Sequence, residues 1–346
     1  MVFLSSLRPS FDALNHQPLP WHRPLQFLIA IGGMVCGGVV VANVGAGVMA
    51  ALCSMMILLN DLGGAISHRL WTLAATGMAL VLGGLMGGAV GFINPTWFFA
   101  FLFMCGLLVG KMHNSSLVVE NIARFFALSF VVVSILGFTT FKPILYVLAG
   151  TVWTLCAVAL NYAIYRINPP DTSGSWKAGL ARLKIGEGAR WRFAVCYAIA
   201  ITLGLMLAEK WGTPRAGWVA IATLLVMRPD SAESVQLIVH RILGTCIGAG
   251  IAACIVILMG NTMWILVGWS CLLAFLIPLG SLLHRWVGIT VVTALVLVLL
   301  DIALLSHGGS RQLLAARIYD TLLGCGFAIL GTMAAFPKVC VKAYKR

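Results

Sequence analysis

Apolar residues run along this chain in long blocks, each broken by charge, proline or asparagine. They fall near 24–43, 45–60, 69–93, 96–111, 121–139 and 142–166, then near 190–209, 215–228, 238–260, 262–281, 286–305 and 312–336. A helix needs about 20 apolar residues to cross a bilayer, or fewer where it is short or broken. The pattern predicts an all-α polytopic membrane protein of about twelve transmembrane helices, in two sets of six.

The two sets echo each other. Ala46-Gly47 opens a short run closing on Asn60-Asp61, followed by His68-Arg69 and a Gly-rich helix; Ala216-Gly217 opens another closing on Pro229-Asp230, followed by His240-Arg241 and a helix with Gly244 and Gly248. An even number of spans in each set makes the repeats parallel rather than inverted. The expected organisation is a cytoplasmic leader over 1–23, a first six-helix repeat over 24–167, a linker over 168–189, a second repeat over 190–337 and a basic tail over 338–346. The leader lacks the apolar core of a cleavable signal. Within the linker, Trp176, Leu180 and Leu183 recur at helical spacing with Lys177, Arg182 and Lys184 between them. That spacing fits a short helix lying on the membrane or a solvated connector.

Composition agrees with this pattern. Of 346 residues 61% are hydrophobic and 10% charged, where a soluble domain carries about 25% charged residues. The net charge of +13 is spread over the ends of the apolar runs rather than gathered into a stripe, so it points to membrane orientation and not to nucleic acid. With a cytoplasmic N-terminus, 18 basic residues fall inside, 4 outside and 1 (Arg317) within a helix, which accounts for all 23. Both termini are therefore expected in the cytoplasm, with the chain in a bacterial inner membrane. The ten cysteines are scattered without metal-ligand spacing, and read as small packing residues. No cofactor, metal site or catalytic set is indicated: the chain has no GxSxG, HExxH or Walker sequence.

The stretch Arg190 to Gly248 carries a basic start, a helix, Gly-Trp-Val-Ala at 217–220, Arg-Pro-Asp at 228–230 and His-Arg-Ile-Leu-Gly-Thr at 240–245. This resembles the fusaric-acid-resistance-like family, which includes bacterial aromatic acid exporters; plant aluminium-activated malate transporters look distantly similar. Arg317-Ile-Tyr-Asp320-Thr-Leu-Leu-Gly324 looks like the same family's last-helix motif. The resemblance covers roughly 190–336 and is weak before it, where position 48 is Val against Trp218. It implies export of aromatic or other carboxylic acids, or anion conduction, with a periplasmic adaptor or a homo-oligomer as conceivable assembly.

Several residues are candidates for that chemistry. Residues 45–60 and 215–228 are short for a crossing and are flanked by Gly or Pro, which is a sequence pointer to a transporter's binding site. A half-helix offers free N–H groups to an anion, while a short helix shielded by longer neighbours is the structural alternative. His68-Arg69 and His240-Arg241 form matched basic pairs that would gather anions or anchor the helix ends. Arg317 and Asp320 lie one turn apart on the last span, either as an ion pair between helices or as substrate and proton groups; Arg317 could also snorkel to the interface. The substrate-binding candidates are thus Arg317, Asp320, Trp218, Arg228, His240, Arg241, His68 and Arg69. Asp320 and Asp301 are the candidates for proton exchange, Asp301 also being a possible loop-edge cap. Glu120 and Arg124, four apart at the mouth of the fifth span, read as a local pair. The expected function is a proton-driven exporter of organic acids. A passive anion channel and a non-transporting scaffold subunit are the alternatives.

Overall fold

A computed structural model describes residues 21–91, 95–113, 115–135, 142–171, 187–213, 216–228, 231–259, 262–304 and 310–336. Expectations for the leader, the interfacial linker helix, the basic tail, Pro214, Arg215 and Pro229 lie outside them. Among the described residues the chain forms twelve helices and no strand. They are α1 His22–Val40, α2 Val44–Leu58, α3 Ile66–Gly91, α4 Pro95–Met112, α5 Leu117–Ile135 and α6 Lys142–Tyr165. The second six are α7 Glu187–Lys210, α8 Gly217–Val226, α9 Ser231–Met259, α10 Met263–Leu283, α11 Arg285–Leu304 and α12 Ser310–Ala335. Nine are long and apolar enough to cross a membrane, and α2, α4 and α8 are shorter apolar helices.

The helices follow the apolar blocks closely, with two early starts. α5 begins at Leu117 and α9 at Ser231, against expected starts at 121 and 238. Both gain a first turn holding polar groups that are satisfied inside the protein. Glu120 is buried among cationic groups. The Ser234 hydroxyl accepts the Arg228 N–H at 2.8 Å and donates to the Arg228 carbonyl at 3.0 Å. Charge marks the end of an apolar run, but it does not end a helix when partners are at hand.

The chain forms two compact units, and each is discontinuous in sequence. The first holds residues up to Leu59, Tyr146–Ile167 and His240–Ile318; the second holds Asn60–Leu145, Asn168–Val239 and the chain from Tyr319 onward. The first unit therefore contains α1, α2, nearly all of α6, most of α9, then α10 and α11. The second contains α3, α4, α5, α7, α8, the start of α9 and most of α12.

In the first unit, α1 carries a π-helical stretch at Leu28–Gly32. A π-turn leaves backbone groups open to outside partners, and the Ile29 carbonyl accepts the Trp153 indole N–H of α6 at 3.0 Å. Gly38 of α1 lies so close to α2 that an added Cβ would sit 2.5 Å from Gly47 Cα. Gly244 and Gly248 bring α9 against the Trp286 and Thr290 carbonyls of α11.

The second unit packs in the same manner. A Cβ on Gly83 or Gly87 of α3 would fall 2.2 Å from the Phe126 carbonyl oxygen or 2.4 Å from that of Phe130, both on α5. Hydrogen bonds from Ser129 to the Leu80 carbonyl and from Ser134 to the Gly87 carbonyl seal that seam. Gly106 and Gly110 set α4 against Ala198 and Ala194 of α7. Small residues allow this approach where lipid supplies no hydrophobic drive between helices.

Candidate functional site

The second unit encloses an ion cluster built on one carboxylate. Glu120 stands in the first turn of α5, and its Oε1 accepts Arg228 from just beyond α8 at 2.8 Å. The same oxygen lies 3.0 Å from His113 Nδ1 at the end of α4, and it also accepts Arg124, one turn along α5. The four side chains are between 6% and 16% exposed, and Arg228 is the most open of them. Both guanidiniums stay charged at any working pH, since arginine does not titrate in proteins.

Local structure explains how these residues meet. α8 is only ten residues long and eight of them are buried. It is enclosed by its own unit: Gly324 of α12 sits against Ala222, and the Thr223 hydroxyl donates to the Gly324 carbonyl at 3.0 Å. Because α8 stops at Val226 and the chain turns extended at Met227, Arg228 is delivered beside Glu120. The cluster thus stands at the carboxyl end of the short helix, where the helix dipole favours cations. Tyr197 of α7, fully buried, donates its hydroxyl to the Leu224 carbonyl in the same turn at 2.7 Å.

A polar relay extends from the cluster across α5 to α3. Arg124 donates to Asn121 Oδ1 at 3.2 Å, Asn121 to Asn60 Oδ1 at 2.8 Å, and Asn60 to the Thr76 hydroxyl at 2.7 Å. Thr76 donates to the Thr72 carbonyl and Thr72 to the Arg69 carbonyl. Arg69 closes the series with a two-point pair on Asp61, at 2.9 and 2.6 Å. One buried atom of this set is left over: Arg124 Nε has no hydrogen-bond partner. Orphaned buried donors are uncommon in native structures.

The sequence-derived candidates are dispersed between the two units. In the second, Arg69 is buried and occupied by Asp61 rather than standing as an open cation, while His68 beside it is half-buried. Trp218 is half-buried on α8, and Asp320 is fully buried on α12. Arg228 is the candidate that joins the cluster. In the first unit, His240 is 1% exposed and its ring stands edge-on to His284 at 4.9 Å between centroids; Arg241, next to it, is half-buried. Asp301 is buried in the last turn of α11. The Arg317 side chain lies outside the described residues.

Sequence reasoning found the Glu120–Arg124 pair but not its convergence with Arg228 and His113. Residues 113, 120 and 228 come from three separate elements, and the one available signal was that each is a lone charged or titratable residue beside an apolar run. Among the described residues no group of three metal-ligating side chains comes together.

These features define a multi-pass helical membrane protein with a buried ionic centre. Residues 199–331, well under half of the chain, match the family described as fusaric acid resistance protein-like. The matched stretch contains Gly217–Ala220, His240–Thr245 and Arg317–Gly324, on which the resemblance rests. The match and the apolar helices agree with a membrane transporter. It includes Trp218, Arg228, His240, Asp301 and Asp320, whereas His113, Glu120 and Arg124 lie before it. No curated protein and no solved structure matches the chain.

Proposed function

We propose that the protein moves organic carboxylic acids, aromatic acids foremost, across a bacterial inner membrane in the outward direction and in company with protons. We assign carboxylate binding to the cluster of Arg228, Arg124 and His113. The observation that carries this reading is that two guanidiniums and an imidazole from separate elements converge on a single carboxylate oxygen in a buried place. The arrangement is a ready-made receptor for a carboxylate, since charge-assisted hydrogen bonds from arginine match its geometry. Arg124 Nε, buried and without a hydrogen-bond partner, is a donor available to a further anionic oxygen. Asp320 and Asp301, both buried acids, remain the proposed groups for passing protons onward.

Flux from proteoliposomes loaded with a panel of aliphatic and aromatic carboxylates, with and without a pH difference, tests the proposal. The expected result is saturable flux of aromatic carboxylates that responds to the pH difference. Flux no greater than from empty liposomes across the whole panel would overturn it.

A further inference from the structure

The binding position assigned above is already filled by the protein's own carboxylate. While Glu120 holds Arg228, Arg124 and His113 on one oxygen, an incoming carboxylate cannot use the same donors. If Glu120 were merely pushed aside it would be a bare anion about nine-tenths buried, which is prohibitive beside the alternative of taking a proton. Arg124 Nε, buried and without a partner, is a donor that Glu120 does not use and that a differently placed carboxylate can reach.

We propose that Glu120 is a tethered stand-in for the substrate: an organic carboxylate displaces it from Arg228 and Arg124, and Glu120 takes up one proton as it leaves. The inference rests on the carboxylate-binding reading and adds its coupling. The one covalent change is a new O–H bond on Glu120, made with a proton from water. The hydrogen bonds of the guanidiniums pass from Glu120 to the substrate carboxylate. One anion and one proton enter together, so the buried cluster carries the same net charge loaded as empty. Adding the anion alone would change that charge in a place where ions are expensive. Anion and proton therefore load together and leave together, so outward movement is driven by accumulation of the acid inside, and not by the inward proton gradient that the sequence reading expects.

Several elements of the second unit bring groups that would compete with Glu120 for the proton. α4 brings His113, and also Lys111, which lies over the Trp191 ring. α7 brings Tyr197, and Arg192, which donates to the Ala334 carbonyl. The segment after α8 brings Arg228, α3 brings Arg69 already on Asp61, and α12 carries Asp320. Of these, His113 stands on the same Glu120 oxygen, so it is the rival to be separated.

The test is titration calorimetry of the purified protein with benzoate between pH 6.5 and 8, in buffers of different ionisation enthalpy. Benzoate stays ionised throughout, so any proton taken up comes to the protein. The expected result for the wild type is about one proton bound per benzoate and an affinity falling about tenfold for each pH unit, as linkage requires. In Glu120→Gln the stand-in charge is gone, so benzoate should bind more tightly, with an affinity nearly level across the range. His113→Asn should keep the wild-type slope. Binding of benzoate without proton uptake in the wild type overturns the inference while leaving the carboxylate site intact. Loss of the uptake in His113→Asn but not in Glu120→Gln likewise overturns it. No benzoate binding at any pH overturns the carboxylate-binding reading and this inference with it.

Discussion

At the scale of single residues, Glu120 is the carboxylate on which two arginines and a histidine converge. Removing it should be far worse than neutralising it. Glu120→Ala leaves Arg124 and Arg228 buried without their counter-charge, and breaking a buried ion pair from one side costs about 3–5 kcal/mol. Glu120→Gln keeps shape and an acceptor oxygen, so its loss should be distinctly smaller. Thermal unfolding in detergent should rank wild type above Glu120→Gln, and Glu120→Gln well above Glu120→Ala. Asn121 is the second sensitive position, because it links Arg124 to Asn60. Asn121→Leu strands two buried partners and should cost about 1–3 kcal/mol in the same assay. The sequence showed Glu120 and Arg124 as neighbours on a helix face, since four-residue spacing is a local rule. It could not show Arg228 arriving from a break 104 residues after Arg124, because that meeting depends on where α8 ends in three dimensions.

At the scale of helices, glycine sets the distances. The twelve helices were legible from apolar run length, because bilayer thickness writes directly into composition. The inner role of α8 was half legible: its shortness stood out, but which of its ends meets charge did not. The carboxyl end of α8 holds an arginine, as the dipole favours. Two substitutions probe this level. Gly324→Leu would drive a side chain into Ala222, whose Cβ would lie 2.5 Å from the new Cβ. Overpacking of this kind costs about 1–3 kcal/mol, and it should both lower the unfolding temperature and shift α8. Gly63 has φ of +83°, and a Cβ there would lie 2.1 Å from the Pro170 carbonyl oxygen. Gly63→Ala therefore combines backbone strain of about 1–2 kcal/mol with a backbone clash, and it should lower the yield of folded protein more than Gly45→Ala, where the added Cβ meets nothing within 4 Å.

At the scale of the whole molecule, the compact units cut across the sequence halves. The first unit takes α1, α2 and α6 with α9, α10 and α11; the second takes α3, α4 and α5 with α7, α8 and α12. Counting six helices on, each unit holds the set complementary to the other's, which supports the proposal that the halves are parallel repeats exchanging helices between units. Sequence reasoning could find the echo between halves, but not the exchange, because contacts between distant helices leave no periodic signature. A consequence follows for folding. Neither half contains a whole unit, so residues 1–168 and 187–346 expressed singly should give little folded protein, whereas co-expression should restore a substantial part of it. Fluorescence-detected gel filtration reads the outcome, and a half that is stable alone would contradict the exchange.

The central claim is that the cluster around Glu120 binds the transported carboxylate. It is tested most directly by flux of isophthalate into proteoliposomes bearing the wild type or Arg228→Gln. Isophthalate suits the purpose because both its carboxyls stay ionised, so it crosses bare lipid slowly. Yield and unfolding temperature should be measured on the same preparations. Losing a charge-assisted hydrogen bond costs about 1.5–3 kcal/mol, so Arg228→Gln should raise the half-saturating concentration about tenfold to a hundredfold while the protein remains folded. Equal flux and equal half-saturation in wild type and Arg228→Gln would contradict the claim.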